Sequence, residues 1–105
     1  MSMNQVTLDP KLQGETVTIQ FDFSSRLAVS ETISTQVVTA TVYSGTDASP
    51  SSMISGSASA SGAIVSQKIT AGTVGVMYYL LCTITTSAGQ TLQMAGFLPV
   101  MPNVV

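Results

Sequence analysis

Residues 15–23, Glu-Thr-Val-Thr-Ile-Gln-Phe-Asp-Phe, alternate cleanly between polar and apolar side chains from Thr16 onward. Val17, Ile19, Phe21 and Phe23 fall on one side, and Thr16, Thr18, Gln20 and Asp22 on the other. A period of two sustained over this length specifies a half-buried strand, because an amphipathic helix repeats its apolar positions about every 3.6 residues. Residues 31–43 form a second run rich in Val and Thr, both strand formers. Val38, Ala40 and Val42 are assigned inward there, because the opposite face carries threonines. Residues 63–70 read as a further strand, ended by Gly72 and Gly75. Residues 76–86 are the most apolar strand, with Tyr78, Leu80, Cys82 and Ile84 on one face and Met77, Tyr79 and Leu81 on the other. A strand apolar on both sides belongs at the centre of a sheet. Ser87–Gln90 reads as a hairpin turn. Residues 91–100 return as the last strand, with Leu92, Met94, Leu98 and Val100 in phase and Pro99 marking an edge or a bulge.

Between these runs, residues 44–62 hold eight serines and are punctuated by Gly45, Asp47 and Pro50. This stretch predicts turn, then one short strand near 53–59, then a flexible turn. No segment carries a helical period or a helix cap. Short strands separated by turn signals in a chain of 105 residues predict an all-β, immunoglobulin-like antiparallel sandwich. The expected organisation is an N-terminal arm at 1–14, then one domain at 15–105 ending in an apolar C-terminal tail. Ile19, Phe21, Val38, Leu80, Cys82 and Ile84 are expected in the core.

Charge is the unusual property. Only 8% of residues are charged and none follows Lys68, against about 25% in an ordinary soluble domain. Polarity comes instead from 15 serines and 14 threonines. A surface so poor in charge repels its neighbours weakly, which suits an assembly. Lys11, Arg26 and Lys68 are the only basic residues and lie far apart in sequence, with a net charge of −2. Such a set neither displaces counterions from nucleic acid nor forms a polybasic membrane patch. The longest apolar run, Val74 to Ile84, is far shorter than the roughly 20 residues of a membrane helix. Met1–Pro10 has neither the basic nor the apolar region of a secretory signal, so no export is expected.

The inventory for chemistry is thin. The sequence has no His and one cysteine, Cys82, too few ligands for a structural zinc site. Asp9, Glu15, Asp22, Glu31 and Asp47 stand singly, without calcium-loop spacing. No base is placed to activate a serine or the thiol, and Cys82 in mid-strand reads as core packing. No catalytic, cofactor-binding or metal residue is therefore expected. Tyr78, just after the glycine turn, suits a corner tyrosine whose hydroxyl bonds nearby backbone. Asp22 is expected to face solvent, with a salt bridge to Arg26 or an interface contact as the alternatives.

Two segments resemble a family of small phage virion proteins, the fibre–tail adaptors. In the first, a Pro-containing opening leads to Phe21-Asp22-Phe23-Ser24, then Leu27 and Glu31-Thr32-Ile33. In the second, the glycine turn, Tyr78, Thr85-Thr86-Ser87 with Gly89, and Leu98-Pro99-Val100 match the end of the family. Together they cover a little over half of the chain. Phe23 stands where many members have Trp. The resemblance implies a non-enzymatic virion component that holds tail or fibre parts together, with other phage virion proteins as partners and a homo-oligomeric ring or a bound subunit as its state. Alternatives are a capsid decoration or head–tail connector protein, or an immunoglobulin-like adhesin, which the lack of Trp disfavours. The apolar end of the chain offers Phe97, Leu98, Val100, Met101, Val104 and Val105 as contact residues, and 1–14 as a second contact arm.

Overall fold

The computed structural model describes residues 5–7, 11–12 and 14–101. They form eight strands: β1 (Gln5–Thr7), β2 (Lys11–Leu12), β3 (Val17–Asp22), β4 (Ile33–Ser44), β5 (Ile54–Ser61), β6 (Ile64–Ile69), β7 (Met77–Thr86) and β8 (Thr91–Met101). A single 3-10 turn, Pro50–Met53, precedes β5. The larger sheet runs β1-β8-β7-β4, with β2 also on β8, and the smaller runs β3-β6-β5. The protein is thus an all-β sandwich, as the alternation predicts.

The core lies between the sheets. β7 alternates strictly, so Tyr78, Leu80, Cys82 and Ile84 are all fully buried. The register sets Val38 and Ala40 of β4 beside Cys82 and Leu80. Gly96 flanks Leu80 on the other side, so this row holds one large side chain between two small ones. Phe21, Val65 and Ile69 complete the core from the small sheet. Burying each large apolar side chain contributes about 1.5–3 kcal/mol. The inward assignment of Val38, Ala40 and Val42 holds, as do all the expected core residues except Ile19. Ile19 is only half-buried, because β3 is an edge strand and, among the described residues, no strand pairs with its other side.

Three elements differ from the expectation. Gln5–Thr7 and Lys11–Leu12, within the segment read as an arm, pair parallel to β8. The serine-rich stretch is strand as far as Ser61, because pairing of Ser59 to Ser61 with β6 imposes extended backbone on residues of modest strand preference. Residues Phe97–Met101 belong to β8, as the strand expected over 91–100 requires, so the apolar tail does not begin at Phe97. Pro99 fits there because the Val100 N–H bonds to Val76 O at 3.1 Å. The preceding nitrogen therefore points away from β7, so Pro99 removes no donor from the β7–β8 ladder.

Gln67 is a buried polar residue in this core, 1% exposed. Its Nε2 donates to the carbonyls of Ser55 and Gly56 at 3.1 and 3.2 Å. Those carbonyls lie where the β5–β6 ladder shifts register, so the side chain supplies bonds that the irregular strand cannot. Among the described residues no buried side-chain nitrogen or oxygen lacks a partner.

Candidate interface

β4, β7 and β8 contain no charged residue. Inward-facing positions are apolar except at Gln36 and Thr86, and the outer face of this sheet divides into two zones. Toward one end it carries Thr35, Thr83, Thr85, Thr91 and Gln93. Toward the other it carries Tyr43, Met77, Tyr79, Phe97, Pro99 and Met101. Cross-strand pairing sets Tyr79 beside Phe97 and Met77 beside Pro99. The Phe97 ring centroid lies 4.6 Å from that of Tyr43 and 5.5 Å from that of Tyr79, both tilted. Such geometry favours aromatic pairs by about 0.5–1.5 kcal/mol. The cluster is nevertheless open to solvent, with Tyr43 66% and Met101 45% exposed. A cleft of about 370 Å³ beside it is lined by Tyr43, Val76, Met77, Pro99 and Met101.

The corner between β6 and β7 holds this end of the sheet in place. The Tyr78 hydroxyl accepts the Thr73 N–H at 2.7 Å and donates to Asp47 Oδ2 at 2.6 Å. The backbone bond is the one expected of a corner tyrosine. The bond to Asp47 ties in the loop after β4, and Asp47 Oδ1 accepts the Ser49 N–H at 2.9 Å. Lys11 reaches the same corner: it is 1% exposed and its Nζ donates to Ala71 O at 2.7 Å. Gly72 has a φ of +99°, and a Cβ there would sit 2.9 Å from Val100 Cγ2. Only glycine supplies that backbone and that clearance. Removing the hydroxyl by Tyr78→Phe orphans a backbone N–H, and unfolding free energy is expected to fall by about 1–3 kcal/mol. Urea unfolding checks this, and an unchanged midpoint would show that the latch contributes nothing.

The contact residues read from the sequence separate cleanly. Phe97 and Met101 stand in the apolar cluster. Leu98 and Val100 face inward, 0% and 1% exposed, and alternate with Phe97, Pro99 and Met101. They are core residues with no surface for a neighbour, which corrects their reading as contacts. Val104 and Val105 lie outside the described residues. Asp22 is exposed, and its Oδ1 accepts the Ser24 N–H at 2.9 Å, forming a local turn. Tyr43, Met77 and Tyr79 are not among the contact residues read from the sequence, although Met77 and Tyr79 fall on the face opposite Tyr78, Leu80 and Cys82. Lys11 and Asp47 gave no signal as fold anchors, because their partners are distant in sequence.

A family model described as "Podophage GP4 fiber-tail adaptor protein gp77" matches residues 11–99. The chain belongs to this fibre–tail adaptor family. The match begins at the buried Lys11 and runs through both sheets to Pro99, so the corner latch and most of the apolar cluster lie inside it. Phage fibre–tail adaptors are structural proteins, and this adaptor carries the fold as a two-sheet sandwich. Comparison with curated proteins gave no match. Among the described residues no helix is long and apolar enough to cross a membrane.

Ionisable groups in the adaptor brace turns. Hydrogen bonds from Tyr78 and the Ser49 N–H hold the Asp47 carboxyl below its ordinary value of 3.8. Bonds from the Ala28 N–H and the Thr86 hydroxyl do the same for Glu31, ordinarily 4.5. A carboxylate with a depressed folded pKa stabilises fully above its unfolded pKa, and that stability is lost as pH falls through the folded one. Stability is therefore expected to hold from neutral pH to about 4.5 and to decline below it. Urea midpoints at pH 7, 4 and 3 measure this, with Asp47→Asn flattening part of the decline. Burial pushes the Cys82 thiol up to about 12, so at neutral pH it stays protonated and enclosed. A thiol reagent is expected to label it far more slowly in the native protein than in urea. Equal rates would place it outside the core.

Proposed function

We propose that this protein is a non-enzymatic component of a phage particle that joins tail and fibre proteins through the outer face of its larger sheet. The observation that carries the reading is the open cluster of Tyr43, Tyr79, Phe97 and Met101 on β4, β7 and β8, three strands without charge, in a chain of the fibre–tail adaptor family. Aromatic and Met side chains are enriched in the centres of interfaces while acidic residues and Lys are depleted. Burying the cluster against a neighbour removes apolar area from water and leaves no charge to desolvate. The partners are other virion proteins, and the protein's place of action is the virion. Phe97 and Met101 are contact residues in this reading.

The immunoglobulin-like reading of the sandwich is supported by strand order. Counting the N-terminal strands as one, β3-β6-β5 and β4-β7-β8 reproduce the B-E-D and C-F-G orders, and Tyr78 occupies the corner at the start of the sixth strand. Quantitative mass spectrometry and immunogold labelling of purified particles test the functional reading. It is supported by a fixed copy number at the fibre attachment region. Absence from particles, or label on the capsid surface, would overturn it.

A further inference from the structure

Of the edges at β3, β4 and β5, β3 alone is straight and unbroken. β4 carries two register shifts, and the side chain of Gln36 bonds from it to Ala58 O of β5. β5 is broken by its own register shift and by Gly56 at a φ of +74°. β3 instead pairs with β6 in unbroken register from Val17↔Ile69 to Asp22↔Ile64. It holds no Pro, Gly or Lys and no bulge, and among the described residues no strand flanks its other side. The Phe23 N–H bonds to Ala63 O. By alternation, Val17, Ile19 and Phe21 also bond inward to β6. The N–H and C=O groups of Thr18, Gln20 and Asp22 therefore point away from the sheet. Straight edges of this kind are templates for strand addition.

We propose that β3 pairs antiparallel with β3 of a second copy of this chain, about a two-fold axis at Gln20. This contact is separate from the outer face assigned to virion partners. In that register Gln20 faces the second copy's Gln20, and Thr18 faces its Asp22. All three outward residues of each strand exchange backbone bonds. Charge complementarity selects the register. Thr18 already lies beside Lys68 of β6, so the second copy's Asp22 enters the same cross-sheet row, with only the short Thr18 between them. Two strand spacings separate the Cα atoms of Lys68 and that Asp22 by roughly 10 Å, within reach of a lysine stem and a carboxylate. The symmetric row repeats the pair. A centre at Asp22 sets the two carboxylates face to face, and a centre at Thr18 takes Asp22 out of the Lys68 row. On the inner face Ile19 meets the second copy's Phe21, covering a side chain that is half-buried in one copy alone.

Sedimentation equilibrium of the full chain up to about 1 mM, a range that detects even weak self-association, tests the proposal. A monomer–dimer equilibrium is expected. Gln20→Lys sets two like charges together at the axis and is expected to weaken it about tenfold. Lys68→Asp and Asp22→Lys should each weaken it severalfold, and the double variant should restore it. Tyr43→Lys, on the other face, should leave it intact. Circular dichroism confirms that each variant is folded. A wild-type protein that stays monomeric overturns the proposal, as does a double variant without rescue, or a dimer lost with Tyr43→Lys and kept with Gln20→Lys. None of these outcomes bears on whether the protein enters particles.

Discussion

Leu80→Ala is expected to lower the free energy of unfolding by about 2–5 kcal/mol, the range for truncating a fully buried Leu. Leu80 is 0% exposed and sits in the middle of β7, between β4 and β8. Its row neighbours, Ala40 and Gly96, have no side chain able to swing into the space left behind. The relaxation that softens many such substitutions is therefore restricted. A domain of this size has about 5–15 kcal/mol of total stability, so the loss is a large share of it. Each kcal/mol shifts the midpoint by about 4–8 °C, which places the melting temperature of the variant roughly 8–40 °C lower. Val37→Ala, one strand over on the outer face and 52% exposed, should change stability by no more than about 0.5 kcal/mol. Thermal melts of the two variants side by side measure the contrast. Equal midpoints would mean that the faces of the larger sheet are assigned the wrong way round.

That contrast is legible in the sequence because it depends only on period. In β3 the inward Val17, Ile19 and Phe21 are more apolar than the Thr18, Gln20 and Asp22 between them, and in β4 threonines mark the outer face, so pleating converts the pattern into two faces, whereas β7 is apolar on both sides and belongs at the centre of its sheet. The family likeness was legible for a similar reason, since Phe21-Asp22-Phe23-Ser24 and the Gly-turn, Tyr78 and Leu98-Pro99-Val100 patterns are local. What period does not carry is the identity of a strand's neighbours. Ile19 is in phase with Phe21 yet half-buried, because β3 ends its sheet. Leu98 and Val100 share the phase of Leu92 and Met94 in the last strand, but with apolar Phe97 and Met101 between and beyond them, only the packing of the two sheets shows which face is buried. Lys11 reads as one of three scattered cations, and only the fold brings its ammonium to the carbonyl of Ala71, 60 positions along the chain. Asp47 and Tyr78 are likewise 31 positions apart. Gln67 continues the inward phase of Val65 and Ile69, and nothing local reveals the broken ladder that it completes.

The second large effect concerns assembly. The double variant Tyr43→Lys/Met101→Lys is expected to fold normally and to be nearly lost from particles. Both side chains are largely exposed in the isolated subunit, so little core packing is disturbed and the change in stability should stay within about 1 kcal/mol. In an assembled particle the same positions would have to bury two ammonium groups without partners on strands that carry no charge. Leaving a charge buried and unpaired at an interface costs about 2–5 kcal/mol, and two together exceed the margin of most single contacts. The copy-number ratio should therefore fall by more than about tenfold. Substitutions at the threonine-rich end of the same face, such as Thr83→Lys, serve as the comparison and should be better tolerated.

The most direct measurement is the number of copies per purified particle, by quantitative mass spectrometry, when the host supplies wild-type or Tyr43→Lys/Met101→Lys protein to a phage lacking its own. Near-complete occupancy with the wild-type protein and a more than tenfold loss with the folded double variant is the predicted result. Equal occupancy of the two would contradict the assignment of the uncharged outer face as the surface that seats this adaptor in the particle.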